Sequence, residues 1–248
     1  MSEQSSRIKH ENVHLNGSAV KDFFDQHSQK KLAHRYSMVL FQDDNPELAM
    51  RRDKEEKERL LPLLKLDADS CILDIGCGVG RWADAVASLC KEYIGIDFSE
   101  ELLRVAENLN LANAMFLKGT FQHLLDVLEA HDIHSSFDCI LINGVCMYIN
   151  DDELKNCLSQ VYSVLKPSGI ILQKESIGTA DRLTLRDFYS AELSHKYNAI
   201  YRTAVDYEEA FSYAYPNHKV LQSGELFTAE LHNRQETTDY YWLLQKNE

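Results

Sequence analysis

The chain has 248 residues, with 26 Lys plus Arg against 39 Asp plus Glu and a formal net charge of -13 at pH 7. Hydrophobic residues at 44% and charged residues at 26% exclude a mainly disordered chain, and 10 Gly with 4 Pro exclude collagen-like or linker-dominated architectures. So acidic a surface suits neither phosphate backbones nor anionic lipid, so no nucleic acid and no membrane is expected as a partner. No apolar run reaches the roughly 18 residues of a membrane span. The segment MSEQSSRIKHENVHLNG lacks the apolar core and small-residue cleavage site of a secretory leader, so a cytoplasmic location is expected. Cys71, Cys77, Cys90, Cys139, Cys146 and Cys157 form no CxxC pair. They read as packed thiols in a reducing compartment, and their spacing offers no zinc site.

Residues 1–65 are polar and read as helical. Val20, Phe23, Phe24 and Leu32 pattern a helix over about 19–31, followed by the aromatic connector HRYSMVLFQDDN. Asn45 and Pro46 supply an N-cap and first-turn proline for a helix running to about Leu61, where Pro62 stops it. Beyond residue 66, strand runs are predicted at 70–75, 93–96, 114–118, 137–142 and 170–174, with helices at 81–90, 100–109 and 151–165 between them. Strands and helices in alternation imply parallel pairing through crossovers. The runs CILDI, CILIN and IILQ are apolar throughout, as strands covered on both faces are. Helices are then expected at about 181–192 and 205–215. Strands at 218–227 and 238–245 would close the chain as an antiparallel hairpin.

The motif with chemical content is CILDIGCGVGRWADAV, where Asp74, Gly76, Gly78 and Gly80 lie between a strand and a helix. Small residues there let the backbone approach a ligand, and a helix start beyond them presents free N–H groups and a positive dipole end. After the next strand, IGIDFSE places Asp97 about 20 residues further on, where a carboxylate accepts from ribose hydroxyls. The alternative role for Asp97 is to cap the helix near Ser99, which Ser99 itself can do.

LDIGCGVG with Asp97 resembles the class I S-adenosylmethionine-dependent methyltransferases, most strongly over 65–175. The leading acidic residue and the glycine spacing separate it from the G-x-G-x-x-G of nicotinamide enzymes. FDCILI and LKPSGIIL also match the family, with Ser168 replacing its usual first glycine and Asp138 as a structural mark. The resemblance implies an α/β, Rossmann-like, doubly wound sheet of seven strands, six parallel and one antiparallel. It further implies an N-terminal helical lid over 1–65, a core over 66–248, and a helical acceptor-side insertion after the fifth strand at about 176–204. S-adenosylmethionine would be the cofactor and S-adenosylhomocysteine the product. Gly76, Cys77 and Gly78 would line its methionine and ribose, and Asp74 would anchor the loop or the ligand's amino group. Asp97 would hold the ribose, Phe98 would stack near the adenine, and Thr120 or Phe121 would meet its amino group. Asn143 and then Tyr148 would lie beside the methionine. Tyr36, Phe41 and Arg52 are the lid residues expected to contact the donor, with Arg51 or Arg52 pairing the carboxylate.

Segment 174–203 concentrates Arg182, Arg186, Tyr189, His195, Tyr197, Tyr201 and Arg202. It reads as a cap that grips an anionic or hydroxylated substrate, or as a solvated face whose tyrosines pack on the sheet. Glu175 and His195 are the candidate bases, since an alcohol must lose its proton as it attacks. The resemblance favours an oxygen of a small molecule or glycan as acceptor, with polysaccharide assembly as the setting. An amine or protein side chain as N-acceptor and a non-catalytic donor-binding domain stay open. The sequence is silent on oligomeric state.

Overall fold

The computed structural model describes residues 6–30, 32–232 and 234–248. The elements in chain order are β1 (Arg7–Lys9), α1 (Gly17–Ser28), α2 (Ser37–Leu40), α3 (Pro46–Leu60), β2 (Cys71–Ile75), α4 (Ala83–Val86), β3 (Glu92–Asp97), α5 (Glu100–Glu107) and β4 (Ala114–Lys118). There follow α6 (Leu124–Ala130), β5 (Phe137–Asn143), α7 (Asp151–Val164), β6 (Leu165–Gly178), β7 (Leu183–Ser190), β8 (His195–Tyr201), α8 (Ala204–Ala214), β9 (His218–Glu225) and β10 (Thr237–Lys246).

Seven strands form one sheet in the order β4-β3-β2-β5-β6-β10-β9. The pairs β2–β3, β3–β4, β2–β5 and β5–β6 are parallel, and β10 runs antiparallel to both β6 and β9. Six strands therefore share a direction and β10 opposes them, as the sequence predicts. One face is packed by apolar side chains of α6, α7 and α8, the other by those of α3, α4 and the β9–β10 connection. The chain runs outward from β2 through β3 to β4, then returns to lay β5 on the opposite side of β2. That reversal opens a crevice beyond the carboxyl ends of β2 and β5, where ligands of open α/β sheets bind.

Local signals hold well at the caps. Asn45 accepts from the Leu48 N–H with Pro46 in the first turn, and α3 gives way to a 3-10 turn containing Pro62. Helix α1 starts at Gly17 under the Asn16 side chain; the predicted end at Lys31 lies outside the described residues. The expected helix at 81–90 is much shorter, four residues of α4 followed by a 3-10 turn. So short a helix supplies little macrodipole to its N-terminus, and a pyrophosphate-type anion site is not built there. Helix α6 escaped the sequence reading, although Leu124 and Leu128 lie one turn apart and are buried.

The insertion is the main correction. The segment expected as a helix at 181–192 is β7, which pairs antiparallel with β8 and with β1 in a separate three-stranded sheet. Leu183 and Leu185 both enter the third apolar cluster, with Thr184 buried between them. The register then shifts between Leu185 and Phe188, with Asp187 at φ 52°. That irregularity spaces Leu185 and Phe188 by three, which imitates a helix in sequence. Residues Tyr197 to Tyr201 of β8 are buried without a break, so this strand carries no alternation in sequence. The inner side of this sheet packs with α1 and α2 in a third apolar cluster above the crevice.

Candidate active site

Two adjoining cavities occupy the crevice. The first, about 480 Å³, runs between α1, the β2 turn and the ends of β3 and β4. The second, about 180 Å³, lies between β6, β8 and the β9–β10 connection. Val39, Phe41, Gly76, Gly78, Asn143, Gly144 and Tyr148 line both.

The β2 turn is held by β3. Gly76 and Cys77 donate their N–H groups to the Ile96 carbonyl at 2.7 and 3.1 Å. Gly78 donates to Asp97 Oδ2 at 2.9 Å, and the Ser99 N–H donates to Oδ1 at 2.9 Å. Asp97 thus braces both the turn and the start of α5, and Ser99 caps that helix through its own side chain. Each carboxylate oxygen keeps acceptor capacity beyond its single backbone bond. Burial lifts Asp97 to about 6 against the pull of the two N–H donors. Asp74 is buried too, and burial raises it to about 7 although the Tyr93 hydroxyl donates to it. Gly76 sits at φ 71°, and a Cβ there would stand 2.4 Å from Val145 Cγ2, so turn and β5 loop fit only through a glycine.

Asn143 ends β5 with both Oδ1 and Nδ2 buried and without a partner. Next to it, Gly144 at φ 72° faces open space. A buried amide with neither bond made is expensive in isolation, and its place on the wall common to both cavities fits a polar ligand. Thr120, Phe121 and Phe98 line the first cavity, and Phe98 belongs to the aromatic cluster with Phe24. Arg52, Asp74 and Cys77 line the second. The Cys77 side chain packs against Gly95 of β3.

Several sequence candidates stand elsewhere. Tyr36 is buried with its hydroxyl on Asp84 and its ring under Lys57, and it lines neither cavity. Glu175 is fully buried behind the β5 loop, where it accepts from the N–H groups of Val145, Cys146 and Met147 at 3.2, 2.9 and 3.3 Å and from Gln173 Nε2 at 2.8 Å. It is an anchor, not an accessible base, because an acidic side chain at that register points under the loop. His195 bonds Gln26 of α1 and the Lys196 carbonyl, and it lines neither cavity. Arg182 forks onto Asp151, and buried Arg202 bonds Asp151, the Cys146 carbonyl and the Ile149 carbonyl. Burial notwithstanding, these two cations hold Asp151 below the usual carboxylate range. Arg202 and Arg182 therefore tie the insertion to α7 and do not face a substrate. Arg186 and Tyr189 of β7 are exposed and line neither cavity. Of the expected acceptor residues, Tyr197 and Tyr201 line the second cavity, joined there by Tyr148, whose hydroxyl is 2.7 Å from that of Tyr197.

The sequence reading passed over Lys174, His232, Arg234 and Asp239, which line the same cavity. Lys174 pairs with Asp239 at 2.7 Å, and Arg52 donates to the Leu231 carbonyl, holding the β9–β10 connection in place. The run HNRQETTD carried the signal, as a polar stretch returning to the carboxyl end of the sheet.

Residues 72–169 match the methyltransferase-domain family. The matched segment is the methyltransferase domain of this chain, of the class I S-adenosylmethionine-dependent kind. Its cofactor is S-adenosylmethionine, and the buried unpaired Asn143 beside the glycine turn fits that donor. Phosphoethanolamine N-methyltransferase 1 of Triticum aestivum is 29% identical over 160 residues, covering 63% of this chain and 30% of that protein. Phosphoethanolamine N-methyltransferase 1 of Haemonchus contortus, solved with phosphoethanolamine and S-adenosylhomocysteine, superposes with a TM-score of 0.71 at 21% identity over 93% of this chain and 49% of that one. The N-methyltransferase NodS of Bradyrhizobium japonicum gives a TM-score of 0.59 at 15% identity, covering 93% of this chain and 100% of that one. The methyltransferase chain thus spans less than half the length of either phosphoethanolamine enzyme. Among the described residues, no helix is long and apolar enough to cross a membrane.

Proposed function

We propose that this methyltransferase acts on the nitrogen of a small amine that also carries an anionic group, with phosphoethanolamine as the representative acceptor. The observation that carries this reading is the second cavity. It sets the rings of Tyr148, Tyr197 and Tyr201 beside the cations Arg52, Lys174 and Arg234 and shares a wall with the donor crevice. Aromatic faces favour an ammonium group, and guanidinium or ammonium donors favour a phosphate. The names of the wheat and Haemonchus relatives agree with both. A cavity of about 180 Å³ also favours a compact acceptor over a glycan chain.

The donor supplies a methyl group already activated on a sulfonium. The chain's own residues supply alignment, the dominant contribution available when a reactant arrives activated. Asp97 accepts from the ribose hydroxyls with the lone pairs left over from its two backbone bonds. Phe98, Thr120 and Phe121 enclose the adenine, and Asn143 bonds the methionine portion. Asp74 stays with Tyr93 and fixes the floor of the turn. Helix α1 covers the adenosine side, tethered where Ser99 Oγ donates to Asp25 at 2.7 Å. Phe41 and Tyr148 stand at the junction of the two cavities and exclude water from it.

The test is methyl transfer from labelled donor to phosphoethanolamine and to ethanolamine, with products resolved by mass spectrometry. Phosphoethanolamine should be methylated and ethanolamine should turn over far more slowly. Arg234→Ala should raise the phosphoethanolamine KM about tenfold, the loss of one charge-assisted bond, and leave S-adenosylhomocysteine affinity unchanged. Equal turnover of the two amines would remove the anion from the reading.

A further inference from the structure

An amine that enters as an ammonium has no lone pair, so one proton must leave before nitrogen can attack. We infer that His232, on the connection between β9 and β10, is the group that takes that proton. The inference rests on the N-methyl reading above and deepens it.

The hydrogen bonds of His232 fix its chemistry. Its Nε2 lies 3.0 Å from the Phe227 carbonyl oxygen, which can only accept. Nε2 therefore carries the hydrogen in the neutral ring, and the Thr238 hydroxyl at 3.3 Å sits beside the same atom. Nδ1 is left as the basic nitrogen, on a side chain that lines the acceptor cavity. A carbonyl that sets the tautomer of a histidine in this way leaves its second nitrogen poised as an acceptor.

The other titratable groups on the cavity are committed. Asp239 of β10 pairs with Lys174 of β6, which outweighs burial and holds its carboxyl below the ordinary range. Glu56 of α3 accepts from Arg81 and Trp82. Asp74 accepts from Tyr93 at the donor end. Burial pushes Tyr148, Tyr197 and Tyr201 upward, so they remain protonated. Arg52, Lys174 and Arg234 are cations and accept no proton. A proton taken up at Nδ1 passes on to solvent and the ring resets. The balance is simple: the N–H bond of the ammonium breaks, its electron pair stays on nitrogen, and an N–H bond forms at Nδ1.

His232→Gln tests this in the full chain, since a glutamine amide can still donate to the Phe227 carbonyl but has no basic nitrogen. With phosphoethanolamine as acceptor, kcat at neutral pH should fall about 100-fold or more. S-adenosylhomocysteine affinity by calorimetry and the melting temperature should stay at wild-type values. The wild-type rise of kcat with a single deprotonation should be lost, and the residual rate should keep climbing with pH as the free amine accumulates. His232→Ala should be partly rescued by added imidazole, which a purely structural histidine would not be. In labelled wild-type protein, His232 Nδ1 should resonate as an unprotonated ring nitrogen at alkaline pH. A His232→Gln enzyme with wild-type kcat and pH profile, or an Nδ1-protonated neutral ring, overturns the role of His232 and leaves the N-methyl reading standing. A wild-type enzyme that never methylates phosphoethanolamine overturns both.

Discussion

Glu175→Ala should lower the stability of the free protein by about 3 kcal/mol and abolish methyl transfer together with donor binding. The Glu175 carboxylate accepts from three consecutive backbone N–H groups and from Gln173, all behind the loop that carries Gly144 and Tyr148. Alanine leaves those donors buried and unpaired, at about 1–3 kcal/mol for each lost partner, moderated by local relaxation. Had Glu175 been the base that its position after the predicted strand at 170–174 implies, the same substitution would cut kcat and leave the urea midpoint alone. The pH behaviour follows from burial, which lifts Glu175 to about 7 against the three N–H donors. A carboxyl raised in the folded state contributes stability that is fully present below its unfolded pKa and is lost as pH rises through the folded value. Between about pH 4.5 and 7 the free protein should therefore lose stability at this group as pH rises, a trend shared by Asp74 and, to about 6, by Asp97. Glu175→Gln should flatten its share of that slope in urea melts taken from pH 5 to 8.

Asp97→Ala should weaken S-adenosylhomocysteine binding by about 2–3 kcal/mol, some 30- to 150-fold in Kd. The substitution removes the acceptor for the ribose and also frees the Gly78 and Ser99 N–H groups that Asp97 holds at 2.9 Å. With the carboxyl raised to about 6 by burial, the accepting ionised form declines as pH falls through that value. Donor affinity should fall from pH 8 to pH 5, and Asp97→Asn should show a flatter dependence by calorimetry. Unchanged affinity in Asp97→Ala would take this residue out of the site.

The glycine turn and its brace at Asp97 were legible in sequence because they are local. The turn LDIGCGVG and Asp97 lie on neighbouring strands separated by one crossover, and three glycines at positive φ within five residues leave a mark in the sequence. The sheet was legible for the same reason, since strands buried on both faces are apolar throughout. The acceptor half was not. Arg182 and Arg202 looked like substrate grips, yet both bond Asp151, an ion pair between residues 31 and 51 positions apart that composition cannot distinguish from a free cationic surface. Arg234 and His232 reach the cavity because the β9–β10 connection folds back over β6, a consequence of tertiary placement alone. The β7–β8 hairpin was mistaken for helix because its register irregularity disturbs the alternation on which periodicity depends. Tyr36 was expected at the donor as a lid residue whose aromatic face would suit the sulfonium; here its hydroxyl has the carboxylate of Asp84 as partner, and it lines neither cavity.

The most direct measurement is a crystal structure of the protein with S-adenosylhomocysteine and phosphoethanolamine together. The ribose should lie on Asp97, the amino-acid end against Asn143, and the amine beside Tyr148 with its phosphate toward Lys174 and Arg234. Phosphoethanolamine bound outside that cavity, or a product whose sulfur faces away from it, would contradict the arrangement of donor crevice and acceptor cavity from which the function follows.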